Sequence, residues 1–186
     1  MSSTQDLAAA AGRQIEAVVI GASAGGFEAL LAILLQEEGL LERTLIYATD
    51  INPTVLEKAR QGIFAIASVR SHTANYQAAG GTRAFSDYYS AAYKAARFDP
   101  DLIRNVTFAD HSLATDTVFS ETHFISCRNV LIYFNRALQD RAFGLFHESL
   151  CHRGFLGLGS KESLDFSAYA DKFEPVQRRE RIFRKG

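Results

Sequence analysis

Apolar and polar positions along the chain alternate in a way that predicts strands and helices in turn. The wholly apolar run 17–20 predicts a short buried strand, and the small-residue segment 21–26 separates it from an apolar helix over 27–36. The run 44–49 is rich in β-forming residues and predicts a second strand, which ends at Asp50. This order is typical of a parallel sheet with covering helices.

A second helix is predicted directly after the Asp50 strand. Asn52 is suited to the N-cap and Pro53 to the first helical position, while Gly62 is suited to the stop. The predicted inner face of this helix consists of Val55, Leu56, Ala59 and Ile63.

The segment 65–104 has no strong hydrophobic period, contains Gly80-Gly81 and is rich in tyrosine. We interpret it as a helix with a small antiparallel excursion, inserted beside the main sheet. The sheet is predicted to resume with strands over 105–109 and 123–127. Residues 1–14 are expected to be a flexible leader, and residues 15–186 a single domain.

The last third of the chain predicts one more helix and the remaining strands. Asn135 is placed to cap a helix whose inner face carries Leu138, Ala142, Leu145, Phe146 and Ser149. The run 154–159 predicts a strand, and 173–183 predicts a terminal hairpin strand or strands.

Composition excludes several classes of protein. The 186 residues are 47% hydrophobic and 22% charged, which is ordinary for one globular domain. Twenty basic residues against 21 acidic ones do not favour binding to nucleic acid. The longest apolar stretch, 29–35, is too short to span a bilayer and the N-terminus lacks a signal peptide, so we expect a cytoplasmic protein with no membrane insertion. The scattered histidines, without HExxH or CxxC, indicate no metal site.

Ligands of open parallel sheets bind beyond the carboxyl ends of the strands. The first candidate there is the loop 21–26, where Gly21, Ser23 and Gly25 would let a ligand approach the backbone. A tight turn with no ligand is the alternative. The loop also matches G-x-S-x-G, the nucleophile elbow of hydrolases, with Ser23 as the nucleophile.

Asp50 is the second candidate, because a carboxylate at a strand end can accept hydrogen bonds from both hydroxyls of a ribose. The alternative is a helix-capping role, which Asn52 fills better. The third candidate is the run 127–134, in which Arg128, Asn129 and Tyr133 interrupt apolar residues. Polar groups buried there would need partners, so we interpret the run as a site, with a structural network as the alternative.

Four segments together resemble the CheR family of chemotaxis methyltransferases, which esterify glutamate side chains of chemoreceptors. The segments are ATDINPTVLEKARQGIF (48–64), NVTFADHSL (105–113), ISCRNVLIYF (125–134) and GFLGLGSKESL (154–164). The resemblance covers about residues 31–186. It implies a Rossmann-like class I methyltransferase sheet with a small antiparallel β-subdomain, here 65–104. It also implies the cofactor S-adenosyl-L-methionine, the product S-adenosyl-L-homocysteine, and a monomer acting on the cytoplasmic domain of a chemoreceptor.

The same resemblance implies a role for individual residues. Asp50 would bind the ribose and Ile51 would flank the adenine, with Ser112 and Leu113 on the adenine side. Asn129 and Val130 would line the cofactor, and Tyr133 would lie near the methyl group. Independently of the resemblance, we assign Arg128 to catalysis together with Tyr133, and Gly21, Ser23 and Gly25 to the cofactor-binding loop.

Two departures from the family leave other functions open. The family carries a helical N-terminal domain, which we expect this chain to lack. The segment IEAVVIGASAGGFEALL (15–31) resembles instead the start of CheB-type methylesterases, in which Ser23 would be the nucleophile. The alternatives to methyl transfer are therefore a binding-only remnant and a Ser23 methylesterase. The five histidines show no triad pattern that would support the esterase.

Overall fold

The computed structural model describes residues 15–20, 27–118 and 120–186, and for residues 15–20 and 27 only the backbone. Its elements in chain order are β1 (Ile15–Ile20), α1 (Phe27–Glu37), β2 (Thr44–Asp50), α2 (Pro53–Gln61), β3 (Ile63–Ala65), α3 (Ile66–Ala78), β4 (Tyr89–Ala92), β5 (Ala95–Phe98), α4 (Pro100–Ile103), β6 (Val106–Asp110), β7 (Thr122–Cys127), α5 (Arg136–Ser149), β8 (Leu150–Leu158), β9 (Phe173–Gln177) and β10 (Ile182–Lys185).

Seven strands form the main sheet in the order β6-β2-β1-β7-β8-β10-β9. The first five of these are parallel, whereas β10 is antiparallel to both β8 and β9. The chain runs outward from β1 through β2 to β6, then returns to β7 on the other side of β1. The order therefore reverses between β1 and β7, and the carboxyl ends of these two strands frame the crevice in which such sheets bind ligands. The predicted α/β fold is confirmed.

The predicted antiparallel insertion forms a second sheet of three strands, in the order β3-β5-β4, with α3 beside it. Its first strand begins at Ile63, which the sequence placed on the inner face of α2. That placement is wrong, because Gly62 adopts a left-handed φ of 64° that ends the helix. The Gly62 carbonyl then accepts a hydrogen bond from the Phe98 N–H at 3.0 Å, and the Ile63 side chain is 45% exposed.

The rest of the α2 prediction is confirmed. The Asn52 side chain caps the helix by accepting from the Thr54 N–H at 2.9 Å, with Pro53 in the first turn. Leu56 and Ala59 are buried, and Val55 is half-buried. The helix is therefore defined by signals that lie within its own sequence.

The insertion shares a hydrophobic core with the main sheet. Its buried aromatic rings, Phe64, Tyr76, Phe85, Tyr88 and Phe98, pack in one cluster with Ile33 of α1 and Ile46 of β2. At the end of α1, the Glu37 carboxylate accepts hydrogen bonds from the hydroxyls of Tyr76 and Tyr88. These bonds hold the pKa of Glu37 below its usual value, the Tyr76 bond contributing most. The insertion is thus joined to α1 by apolar packing and by the two tyrosine–Glu37 hydrogen bonds.

The helix predicted after Asn135 is confirmed, whereas the start of the next strand is not. The Asn135 side chain accepts from the Leu138 N–H at 3.0 Å, and the predicted face is buried at Ala142, Phe146 and Ser149. The following strand, β8, begins at Leu150 rather than at 154. After Leu150 come Cys151, His152 and Arg153, with a left-handed φ of 61° at Arg153 where the pairing with β7 is irregular, so the apolar pattern appears late.

Candidate functional site

The predicted site segments leave the sheet at one edge. Ile20 at the end of β1 lies opposite Thr49 of β2 and Cys127 of β7. Asp50 at the end of β2 lies opposite Asp110 at the end of β6. The segments that follow Asp50, Asp110 and Cys127 therefore emerge around the end of β1. Gly21, Ser23 and Gly25 lie outside the described residues, as does the leader 1–14.

Asp50 uses one carboxylate oxygen to brace its own turn. Oδ1 accepts from the Asn52 N–H at 2.8 Å, while Asn52 provides the cap of α2. Within the described part of the chain, no group donates a hydrogen bond to Oδ2. Asp50 is half-buried, and the neighbouring Ile51 side chain is 69% exposed. An acceptor oxygen beside an exposed apolar side chain fits a sugar next to a base, so the residues present suit an adenosine group.

The turn after β6 is held beside Asp50. The His111 N–H donates to the Asp50 carbonyl at 3.4 Å. The Asp116 carboxylate accepts from the Ser112 N–H at 2.8 Å and from the Thr115 hydroxyl at 2.9 Å. The Ser112 bond is the largest cause of a lowered pKa at Asp116. Leu113 is 4% exposed and packs in the core beneath this turn, so the predicted adenine-side pair has one half-buried and one buried member.

The segment after β7 places its polar side chains in solvent. Arg128, Asn129 and Tyr133 are exposed, Tyr133 by 81%. The premise that they are buried polar groups is therefore wrong. The reason is local geometry: Asn129 has a left-handed φ of 60°, and the short 3₁₀ helix Leu131–Tyr133 turns Leu131 into the core and Tyr133 outward. The side chains are available to a ligand, and Val130 is half-buried between them.

Glu162 is a residue of this region that the sequence reasoning missed. It is 3% exposed, and its carboxylate accepts from three backbone N–H groups: Val130 at 2.9 Å, Leu131 at 2.8 Å and Gly159 at 2.6 Å. It also lines a cavity of about 310 Å³ between the 3₁₀ helix, α5 and the loop after β8. The available signal was that Glu162 is the single acid within the motif GFLGLGSKESL, next to Lys161 in an otherwise apolar and small-residue segment.

The thiol that ends β7 is not suited to nucleophilic chemistry. Cys127 is fully buried, and burial raises the pKa of its thiol well above the usual value, with the Glu162 charge adding to the effect. The thiol therefore stays neutral and acts as a small apolar side chain. Both cysteines are unpaired by disulfide. Among the described residues there is no group of metal-ligand side chains, and none of their helices combines the length and the apolar character needed to cross a membrane.

Comparison with known proteins assigns the chain to a family. The model of the CheR methyltransferase, SAM-binding domain, matches residues 2–182. The chain belongs to the CheR methyltransferase family. The match includes residues 15–31, and the likeness of that segment to CheB-type methylesterases stays a prediction. The cofactor of this domain is S-adenosyl-L-methionine, in agreement with the resemblance of the four motifs.

The relatives that this chain matches are longer than the chain itself. It is 65% identical over 171 residues to the putative methyltransferase Cher3 of Pseudomonas putida, covering 92% of this chain and 63% of that protein. It is 29% identical over 149 residues to chemotaxis protein methyltransferase 1 of Vibrio cholerae, covering 80% of this chain and 51% of that protein. The chain thus spans between half and two thirds of the length of these relatives.

The fold is also that of solved methyltransferases. The N-methyltransferase NodS of Bradyrhizobium japonicum, determined with S-adenosyl-L-homocysteine, matches with a TM-score of 0.53 at 13% identity, over 97% of this chain and 83% of that protein. The agreement is one of fold. It confirms the predicted Rossmann-like class I methyltransferase sheet.

Proposed function

We propose that this chain transfers the methyl group of S-adenosyl-L-methionine to glutamate side chains of a chemoreceptor's cytoplasmic domain, forming methyl esters. The observation that carries the proposal is the carboxylate of Asp50, held at the end of β2 with one oxygen engaged by Asn52. Membership of the CheR family and the names of the chemotaxis relatives support the choice of acceptor. We expect the chain to act as a monomer in the cytoplasm.

The proposed binding roles follow the sheet edge. Asp50 would accept hydrogen bonds from the ribose hydroxyls, Ile51 would flank the adenine, and Ser112 and Leu113 would lie on the adenine side of the site. Asn129 and Val130 would line the cofactor between the sugar and the methionine group. Gly21, Ser23 and Gly25 are proposed to hold the methionine end.

S-adenosyl-L-methionine supplies a methyl group that is activated by its sulfonium charge. The ionised glutamate carboxylate of the receptor would attack this carbon, so that a C–O bond would form as the C–S bond breaks and S-adenosyl-L-homocysteine would leave as the product. No proton has to be removed, which limits the protein's work to positioning and electrostatics. Arg128 would hold the acceptor carboxylate, and the exposed Tyr133 would border the methyl group.

Binding of S-adenosyl-L-homocysteine, measured by calorimetry, tests the cofactor site. Asp50→Asn keeps an oxygen for the Asn52 N–H and removes the charged acceptor, so we expect the dissociation constant to rise about 10- to 100-fold, the equivalent of one charged hydrogen bond. Asp101→Asn, at an exposed carboxylate on α4, is the matched control and should bind as the wild type does. Equal affinity of all three proteins would contradict the role of Asp50.

Transfer of labelled methyl groups tests the reaction. Wild-type protein should transfer label from S-adenosyl-L-methionine to a receptor cytoplasmic fragment, and base should release it as methanol because the product is an ester. A fragment whose methyl-accepting glutamates are replaced by alanine should take up no label. Binding without transfer would favour the binding-only alternative. Release of methanol from a methylated receptor, lost in Ser23→Ala, would favour the esterase.

A further inference from the structure

Glu162 connects two segments just beyond the last β7–β8 pair, which joins Cys127 to Leu158. One is the stretch after β7, residues 128–131, and the other is Gly159, the first residue after β8. Oε1 accepts from the Val130 and Leu131 N–H groups at 2.9 and 2.8 Å, and Oε2 accepts from the Gly159 N–H at 2.6 Å. The carboxylate therefore bridges three backbone donors in a place where it is 3% exposed.

The bridged stretch is also held at its far end, where Leu131 is 1% exposed and its carbonyl accepts from the Gln139 side-chain amide at 2.9 Å. Residues 128–131 lie beyond the last paired residue of β7, Cys127, and before α5 begins. Asn129 has a left-handed φ of 60° there, a conformation that asparagine tolerates better than most residues with a side chain. Two N–H groups on the next two residues both donate to one oxygen of Glu162. Glu162 thus supplies the acceptor for both backbone N–H groups that directly follow Asn129.

Gly159 supplies the space for this contact. A Cβ at position 159 would lie 2.6 Å from Oε2 of Glu162, 3.0 Å from the Asn129 nitrogen and 3.3 Å from Oδ1 of Asn129. The φ of Gly159 is not in the left-handed region, so the glycine is needed for close approach rather than for its backbone freedom. Asn129, Glu162 and Gly159 therefore meet at one point.

We infer that Glu162 and Gly159 act together as positioning residues for Asn129 and Val130, and thereby set the affinity of the domain for its cofactor. This inference rests on the proposed placement of Asn129 and Val130 beside the cofactor. Neither Glu162 nor Gly159 has to touch the ligand. Their effect passes through the backbone of residues 129–131.

Two variants disturb the contact in different ways. Glu162→Gln has one acceptor oxygen, so it can serve the Val130 and Leu131 pair or Gly159 but not both, and its amide group faces a donor. Gly159→Ala keeps the carboxylate and wedges a methyl group against it. The matched controls are Glu38→Gln, at an exposed glutamate, and Gly157→Ala, where a Cβ would make ordinary van der Waals contacts, at 3.5 Å with the Phe124 ring and 3.9 Å with the Ile125 carbonyl oxygen.

Each variant is assayed for S-adenosyl-L-homocysteine affinity, for KM and kcat, and for urea unfolding, at a temperature where circular dichroism shows it native. We expect both Glu162→Gln and Gly159→Ala to weaken binding and raise KM for S-adenosyl-L-methionine at least tenfold, with kcat changed less than threefold. The controls should match the wild type. If Glu162→Gln does not fold, Gly159→Ala carries the test, and failure of both to fold would assign the pair a purely structural role and overturn the inference.

Lower unfolding stability with unchanged affinity would likewise overturn the inference. The proposed function fails separately, when the wild type binds cofactor but transfers no methyl group to the receptor fragment. In that case the affinity measurements still decide the role of Glu162.

Discussion

Glu28, in the first turn of α1, is a buried acid whose replacement by glutamine should make the protein more stable at neutral pH. Its side chain is 2% exposed, and its Oε2 has no hydrogen-bond partner among the described residues. Burial raises the pKa of Glu28 from 4.5 to about 7, because desolvation disfavours the charged form. Glu28→Gln keeps the shape of the side chain and removes the titration.

The size of the effect follows from the two pKa values. Since the folded-state pKa is above the unfolded one, the native state holds the proton more tightly. The resulting stabilisation is fully present below pH 4.5 and is lost as the pH rises through about 7. At about 1.4 kcal/mol per pH unit across this interval, the wild type loses about 3 kcal/mol from this group. Glu28→Gln should not lose this stability as the pH rises, because its side chain does not titrate.

Urea unfolding at several pH values between 4.5 and 8 measures the effect of Glu28→Gln on stability. The free energy of unfolding of Glu28→Gln should equal that of the wild type near pH 4.5 and exceed it by about 3 kcal/mol at pH 8. Glu38→Gln, at an exposed glutamate just beyond the same helix, should stay within about 0.5 kcal/mol of the wild type throughout. A gain that does not vary with pH, or a loss at pH 8, would refute the reasoning.

Two further substitutions test the core and a helix cap. Phe98→Ala removes a ring that is 1% exposed and stacked on Phe64, with ring centroids 4.3 Å apart. It should lower the free energy of urea unfolding by about 3–5 kcal/mol. The protein should still unfold in a single transition, because the insertion shares its core with α1. Tyr93 is fully exposed in the same insertion, so Tyr93→Ala should change the free energy of unfolding by less than about 0.5 kcal/mol. A separate early transition in Phe98→Ala would contradict the shared core. Asn135→Ala removes the acceptor for the Leu138 N–H and should cost about 1 kcal/mol, seen as a Tm lower by about 2–4 °C; an unchanged Tm would contradict the cap.

Elements whose signals are local could be predicted from the sequence. The helix α2 is an example, since the Asn52 cap, Pro53 and Gly62 act within a few residues and the structure uses each of them. The start of β8 could not be predicted in this way. Leu150 pairs with Thr122 of β7 and Phe155 with Phe124, and residues 151–153 fall in the irregular pairing between them, so no window of sequence shows that the strand starts at Leu150.

The same distinction between local and long-range features applies to the site. Asp50 could be located because a strand end is a local feature, and the structure adds the bond from the Asn52 N–H to Oδ1, while none of the described residues bonds Oδ2. The exposure of Arg128, Asn129 and Tyr133 could not be anticipated, since it depends on a left-handed residue and a 3₁₀ turn. The role of Glu162 was beyond reach for another reason: its partners Val130 and Leu131 are 32 and 31 residues away along the chain.

Glu28 and Glu162 show why burial alone does not decide what a buried acid does. Both are glutamates that follow the carboxyl ends of strands of the main sheet, and they are 2% and 3% exposed. Glu28 has an oxygen with no partner among the described residues, whereas both oxygens of Glu162 accept backbone N–H groups. The same Glu→Gln change should therefore stabilise the protein at position 28 at pH 8, and destabilise it at position 162, where one buried N–H group left without an acceptor costs about 1–3 kcal/mol. If burial were the deciding factor, the two substitutions would change stability in the same direction, so the sign of the pair at pH 8 separates the two explanations.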